Sequence, residues 1–299
     1  MRMGFLVLCF VLSGWGSALA GQTDGLKLYI SADMEGVVGA VTGDQLGPSG
    51  FEYQRFREFM TNEVLAAIRG ARAAGVTEIV VGDSHGNGEN LLIERFPADV
   101  TVVRSWPRPL GMMQGIDSTF DAAILLGYHA GTTNPDGVRA HTISSARFAD
   151  VRLNGRSVPE GGLSAAIAGY FGVPVVLVTG GDAAVAEVQA AVPGISGAIV
   201  KWNVSFHAAR TMTPDAAYEL IESRTRDALS RLDAFEPLVL EVPVTLDVRF
   251  KNYQPSQVLA LLEIVDRPDA HSIRYVGPDI LAISRFLTVI TNYDSFAEP

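Results

Sequence analysis

The chain has 299 residues, 48% of them hydrophobic and 19% charged, with 30 glycines and 15 prolines, which excludes disorder, a collagen-like repeat and a coiled coil. Its 33 acidic residues outnumber 23 basic ones, for a formal net charge of -10. No basic block is present to meet a phosphate backbone, so nucleic acid is excluded as a partner; small substrates are not, because a metal site supplies positive charge locally. At roughly 150 residues per domain the length predicts about two domains.

The chain opens with Arg2, an apolar stretch from Phe5 to Leu12, and Ser17-Ala18-Leu19-Ala20 before Gly21. A basic start, a short apolar middle and an Ala-x-Ala end predict a secretory signal peptide over residues 1–20, cut after Ala20. The apolar stretch is interrupted by Ser13, Gly14 and Gly16, and it is shorter than the ~20 residues a membrane anchor needs. The protein is therefore expected outside the cytoplasm, periplasmic or secreted, with no membrane attachment after cleavage. Cys9 is the single cysteine and leaves with the signal. The mature chain then has no disulfide, thiolate nucleophile or sulfur ligand, and a transition-metal site must be built from His and carboxylates.

Beyond Gly21, β-branched runs alternate with helical patterns. Leu26–Ile30 reads as a strand ending in Ser31-Ala32-Asp33-Met34-Glu35-Gly36, and a loop rich in Gly, Asp and Pro follows from Gly43 to Gly50. Phe56, Phe59, Met60, Val64, Ala67, Ile68 and Ala71 recur at helical spacing over Tyr53–Ala74, with Gly75 as the stop. Strands are predicted at Val76–Val81, Val100–Val103 and Ala122–Leu126, with short helices around Asn90–Phe96 and Pro109–Ile116. Asn154-Gly155 between Val151–Leu153 and Arg156–Val158 signals a hairpin. Helix Gly161–Phe171, strand Val173–Val178, helix Ala183–Ala191 and strand Gly197–Lys201 continue the alternation. After Pro214 come a long amphipathic helix to about Leu232, an alternating strand over Val239–Phe250, mixed elements and an apolar helix from Asp279. The pattern predicts an α/β fold, a mostly parallel sheet flanked by helices with a smaller C-terminal α+β portion. A soft boundary near residue 210 separates a metal-binding α/β domain, 21–210, from that portion, 211–299.

In such sheets the functional groups gather at the carboxyl ends of the strands. Asp33 and Glu35 follow the first strand, His85 the second and His129 the strand from Ala122, while His141 and Glu160 stand near further element starts. Each has a bland alternative. Asp33, Glu35 and Glu160 suit turns and helix caps, His129 suits a packed core, and Asp83-Ser84-His85 suits a polar turn. Their joint placement favours a divalent-metal site of imidazoles and carboxylates, a donor set that suits zinc. His207 and His271 follow no strand end and read as surface or packing residues.

The segments Ser31–Gly36, Asp83-Ser84-His85, Leu126-Gly127-Tyr128-His129-Ala130, Ala140-His141-Thr142 and Pro159-Glu160-Gly161-Gly162-Leu163 together resemble the successive signatures of the D-aminopeptidase family of zinc metallopeptidases. The likeness runs from about Leu26 to the C-terminus, fading after about residue 205 apart from the stretch Phe250-Lys251-Asn252-Tyr253. It implies two zinc ions per subunit, with Asp33 bridging them, Glu35 on one, and His85, His129 and Glu160 completing the ligands. His141 matches the histidine proposed as the family's catalytic residue. The resemblance further implies a self-compartmentalising homodecamer that cleaves the N-terminal residue from short peptides of D-amino acids such as D-Ala-D-Ala. One departure is Pro159, where the pattern has glycine. The rival expectations are a metal-dependent amidohydrolase acting on L-peptides or small amides, a periplasmic solute-binding protein, and a structural zinc-bound oligomer.

Overall fold

The structure is a computed structural model and describes residues 25–293, so the predicted signal segment lies outside the described residues. In chain order the elements are β1 (Leu26–Ala32), α1 (Gly43–Leu46), α2 (Tyr53–Ala73), β2 (Val76–Asp83), β3 (Val100–Val103), β4 (Ala122–Tyr128), β5 (Phe148–Leu153), β6 (Arg156–Ser157), α3 (Glu160–Tyr170), β7 (Val175–Gly181), α4 (Asp182–Ala191), β8 (Ser196–Ser205), β9 (Ala208–Thr211), α5 (Pro214–Leu229), β10 (Val244–Phe250), α6 (Gln254–Leu259), β11 (Val265–Asp266), β12 (Ser272–Gly277) and α7 (Ile280–Asn292). Among the described residues no helix is long and apolar enough to cross a membrane.

The fold is α/β, as the alternation predicts. A seven-stranded sheet runs β3-β2-β1-β4-β7-β8-β9. It is parallel except for the β8–β9 hairpin at its edge. A second, antiparallel sheet runs β11-β12-β10-β5-β6. Strand β1 is buried on both faces: Leu28, Ile30 and Ala32 enter a core with α2 and α5, whereas Tyr29 enters a second core with α3, α7 and the antiparallel sheet. Burial on both sides explains why β1, β4 and β7 read as continuous apolar runs without alternation. From β1 the chain winds outward to β2 and β3, then crosses back to β4 and continues the other way, so the switch point of the sheet lies between β1 and β4. Loops leaving those two strands part there and open a crevice.

Asn154 and Gly155 both take positive φ, at 47° and 80°, and close the predicted β5–β6 hairpin. Three expectations are corrected. The helices predicted around Asn90–Phe96 and Pro109–Ile116 are single 3-10 turns, Ile93–Arg95 and Gly111–Met113, hemmed in by Pro97, Pro107 and Pro109. The strand expected from Val239 starts at Val244, because Pro243 has no N–H to offer the ladder. The boundary near residue 210 does not divide the sheets. β5 and β6 lie before it yet belong to the antiparallel sheet, and α5 lies after it yet packs on α2 over the parallel one.

Two glycines hold the crevice tight. Gly36 donates its N–H to Gly127 O at 2.7 Å, and a Cβ on Gly36 would stand 2.1 Å from the Tyr128 carbonyl oxygen. Gly127 has φ +70°, and its Cβ would stand 2.3 Å from the Asp33 carbonyl oxygen. Gly127→Ala is expected to destabilise the metal-free protein by about 3 kcal/mol or more, from left-handed strain plus a backbone clash. Thermal unfolding with chelator present measures the loss; an unchanged melting temperature would refute this close approach.

Candidate metal centre

Each donor is placed by the backbone. Pairing of β1 continues past its end, with Asp33 N–H donating to Leu126 O at 2.8 Å, and the chain then turns so that Asp33 Oδ1 accepts the Met34 N–H at 2.8 Å. Asp83 lies inside the loop behind His85. Its carboxylate accepts from Asn90 N at 2.6 Å, Asn90 Nδ2 at 2.7 Å and Leu91 N at 2.7 Å, and Asn90 Nδ2 also donates to His85 O at 2.7 Å. Asp83 is thus saturated and shapes the loop. Glu160 is the first residue of α3, where the helix dipole favours negative charge. Pro159 precedes it with extended backbone, φ -75° and ψ 167°. A pyrrolidine ring tolerates this conformation, so the departure from glycine leaves Glu160 in position.

The three histidines share one arrangement. His85 Nε2 donates to Leu46 O at 2.6 Å, His129 Nδ1 to Ala130 O at 3.0 Å and His141 Nδ1 to Arg139 O at 2.8 Å. Each carbonyl fixes a tautomer whose other nitrogen turns its lone pair towards the carboxylates, the arrangement of metal-bound imidazoles. His85 Nδ1 stands 2.7 Å from Glu35 Oε2 and 3.2 Å from Asp33 Oδ1. His129 Nε2 stands 3.4 Å from Asp33 Oδ2 and 3.4 Å from Glu160 Oε2. His141 Nε2 lies 3.7 Å from Glu160 Oε1 and 4.0 Å from Glu35 Oε1, and its ring stacks on His129 with centroids 4.0 Å apart. The loop carrying His141 holds two non-glycine residues at positive φ, Arg139 at 57° and Ile143 at 64°. This local strain lets Ile143 donate its N–H to Glu160 Oε1 at 2.6 Å.

The structure therefore brings all six predicted residues, Asp33, Glu35, His85, His129, His141 and Glu160, into one buried cluster. His207 lies exposed in the β8–β9 turn and His271 is half-buried beside the antiparallel sheet, both apart from it. Asp33 Oδ2 and His129 Nε2 are buried without a hydrogen-bond partner, a costly state that a cation between them relieves. Candidate donor atoms of Asp33, Glu35 and His129 lie within 4.8 Å of one another, as do those of His129, His141 and Glu160. Nitrogen and oxygen donors with no thiolate fit zinc.

Without a metal, protons must offset the buried carboxylates. Burial, then the charge of Glu35, pushes Asp33 up to about 8. Burial pulls His129 down, but Glu160 and Asp33 overcome it and carry it up to about 10. Burial likewise opposes His85, yet Glu35 and Asp33 hold it well above the usual imidazole range. His141 goes the other way, lowered by burial and by the His129 charge.

Sequence reasoning missed Lys201 and Glu63. Lys201 Nζ, on β8, donates to the carbonyls of Glu35, Val37 at 3.2 Å and Ala40 at 2.5 Å, while Glu63 on α2 accepts the Val38 N–H at 2.8 Å. Both side chains are fully enclosed. An ammonium and a carboxylate thus grip one loop, the loop that presents Glu35. The available signals were a lysine ending an apolar strand and an acid on the inward stripe of α2.

A parallel sheet with buried nitrogen and oxygen donors gathered at its switch point defines an α/β protein with a candidate metal site there. Residues 26–289 match the profile of peptidase family M55, D-aminopeptidase, and the chain belongs to that family of metallopeptidases. It is 32% identical over 268 residues to the D-aminopeptidase of Bacillus subtilis (strain 168), covering 89% of this chain and 97% of that protein. It superposes on the solved structure of the zinc-dependent D-aminopeptidase DppA from Bacillus subtilis, described as a self-compartmentalizing protease, with a TM-score of 0.86. That alignment has 31% identity and covers 91% of this chain and 100% of the other. Membership removes the solute-binding alternative.

Two outcomes are expected. Lys201→Met weakens zinc binding about 10- to 100-fold by freeing the Glu35 loop, measured by competition with a chromophoric chelator; unchanged affinity in a folded variant refutes the grip. Between pH 6.5 and 8 the metal-free protein loses stability as pH rises, because folded Asp33, His85 and His129 bind protons that the unfolded chain has released. Zinc displaces those protons, so calorimetry in buffers of different ionisation enthalpy should record proton release on binding; zero release would contradict the assignment.

Proposed function

We propose that the protein is a zinc-dependent aminopeptidase that removes the N-terminal residue from short peptides of D-amino acids, D-Ala-D-Ala among them. The observation that carries this reading is Asp33, whose Oδ1 faces His85 at 3.2 Å and whose Oδ2 faces His129 at 3.4 Å. The cluster thereby divides into two halves, one with Glu35 and His85, the other with His129 and Glu160, joined through Asp33. This division supports two zinc ions per subunit, as in the family resemblance. Zinc held there supplies a Lewis acid for the scissile carbonyl and lowers the pKa of water towards neutrality.

The protein's own groups do the rest. His141 lines the cavity, whereas His129, stacked behind it, does not. The His141 Nδ1 proton is committed to Arg139 O, so Nε2 is the working atom, and burial, which lowers the pKa of His141, leaves that nitrogen free to accept a proton near pH 7. Water oxygen bonds to the carbonyl carbon, its proton passes through His141 Nε2, and the same proton reaches the amine nitrogen as the C–N bond breaks. Two zinc ions would more than offset the charges of Asp33, Glu35 and Glu160 at this end of the cavity, so a free α-amine would meet the site as a neutral nitrogen donor, which a blocked peptide cannot supply. That requirement makes the reaction an aminopeptidase cleavage.

The resemblance also supports assembly into a homodecamer, and residues 1–20 support export to the periplasm or beyond, where peptides derived from the cell wall supply D-amino acids. Intact mass of the exported protein, starting at Gly21, tests the second point, and native mass the first.

Hydrolysis of D-Ala-D-Ala and L-Ala-L-Ala, with and without chelator, is the decisive assay. The expected result is cleavage of the D-peptide alone, lost with chelator and restored by zinc; cleavage of the L-peptide alone favours the amidohydrolase alternative. His141→Ala is expected to keep its zinc and lose about 10²- to 10⁴-fold in kcat, and full turnover by that variant would remove His141 from the chemistry.

A further inference from the structure

The cavity above the cluster has a volume of about 540 Å³. This falls within the range of about 300–1,000 Å³ typical of sites for drug-sized ligands and is far more than two alanines require. Its shape follows from two helices. On α3, Leu163, Ser164 and Ile167 sit three, four and seven residues after Glu160, so one stripe of the helix leads from the metal ligand for about 10 Å along the cavity wall. Facing it, α7 presents Ile280, Ile283 and Leu287 at the same spacing, and Met112 closes the lobe from the β3–β4 connection. Ile283 is packed into the core at 0% exposure and backs this wall, while Leu163 at 7% and Leu287 at 5% keep a free edge on the cavity.

The polar atoms in this wall are already engaged. Ser164 Oγ pairs with the Tyr128 hydroxyl at 3.1 Å, and Ser284 Oγ donates to Pro109 O at 2.9 Å. What the lobe offers a ligand is hydrocarbon. Exposed polar groups, Arg147 and Asn292, line the cavity at the C-terminal end of α7, where Arg147 donates to Thr291 O.

We propose that the N-terminal residue released by this enzyme carries a large apolar side chain, which fills the lobe between α3 and α7. The proposal rests on the aminopeptidase reading and names its substrate class. The carbonyl carbon under attack belongs to that first residue, so its side chain branches one bond from the reacting centre, next to Glu160 where the lobe begins. The remainder of the peptide leaves towards the polar groups Arg147 and Asn292. Alanine would leave the lobe without a partner for its apolar walls. Each methylene buried there is worth roughly a fourfold gain in kcat/KM, so leucine in place of alanine is worth on the order of fiftyfold.

The test compares D-Leu-D-Ala with D-Ala-D-Ala on the zinc-loaded protein and measures binding of the products D-leucine and D-alanine by calorimetry. The expected result is a kcat/KM ratio above about tenfold in favour of D-Leu-D-Ala and tighter binding of D-leucine. Ile167→Phe, which fills the lobe, is expected to bring that ratio below about fivefold. Equal or faster cleavage of D-Ala-D-Ala by the wild-type protein overturns the proposal and leaves the aminopeptidase reading intact. Cleavage of neither peptide overturns that reading, and the product-binding ratio then decides the lobe: tighter D-leucine supports it and equal binding overturns it.

Discussion

Three carboxylates stand enclosed beside three imidazoles, and the arrangement of this end of the molecule answers the cost of that negative charge. Buried carboxylates are tolerable only with counter-charge and hydrogen bonds. Backbone carbonyls take the outward proton of each histidine, leaving three inward lone pairs that cannot also neutralise the acids unless they gain protons or a metal. Asp33 pushed up to about 8 and His129 up to about 10 express the first solution; the unpartnered Asp33 Oδ2 and His129 Nε2 express the need for the second. Metal binding and protonation therefore compete for the same atoms, which ties the chemistry of the site to its stability.

Support for the cluster comes from places with no chemistry of their own. The loop from Glu35 to Ala40 folds around the Lys201 ammonium, which donates to three of its carbonyls, and Glu63 accepts an N–H from the same loop. An ammonium with only carbonyl partners pays for its own desolvation through those bonds, and burial lowers it to about 8. Glycines at 36 and 127 let the loops after β1 and β4 touch along their backbones. Without that contact Asp33 and His129 would stand on separated loops. Asp83, two residues before His85, accepts three hydrogen bonds from Asn90 and Leu91 and shapes the loop behind His85.

Elements with a strong local signal were legible in the sequence. The period of α2, the Asn154-Gly155 turn and the capping Asp279 of α7, which accepts the Ala282 N–H at 2.8 Å, depend on residues within a few positions of one another. Weak local signals misled: the stretches around Ile93 and Gly111 carry apolar spacing but are flanked by prolines that allow only a single tight turn. Domain organisation was read least well. β5 pairs with β10, some ninety residues later, and β6 extends the same antiparallel sheet beyond β5; nothing in the local pattern records the distant partner.

By itself the sequence determined the alternation of strands and helices, the absence of cysteine from the described residues, and the position of six candidate site residues, Asp33, Glu35, His85, His129, His141 and Glu160, at or near strand and helix ends. Tertiary structure decided how those donors divide, because the order β2-β1-β4 sets Asp33 between His85 and His129. It alone revealed Lys201 and Glu63 as supports, the orphaned atoms at the centre, and the apolar lobe between α3 and α7. The reason is physical: period and capping are interactions between near neighbours in the chain, whereas a site and its cavity are made by contacts between segments that only strand pairing and core packing bring together.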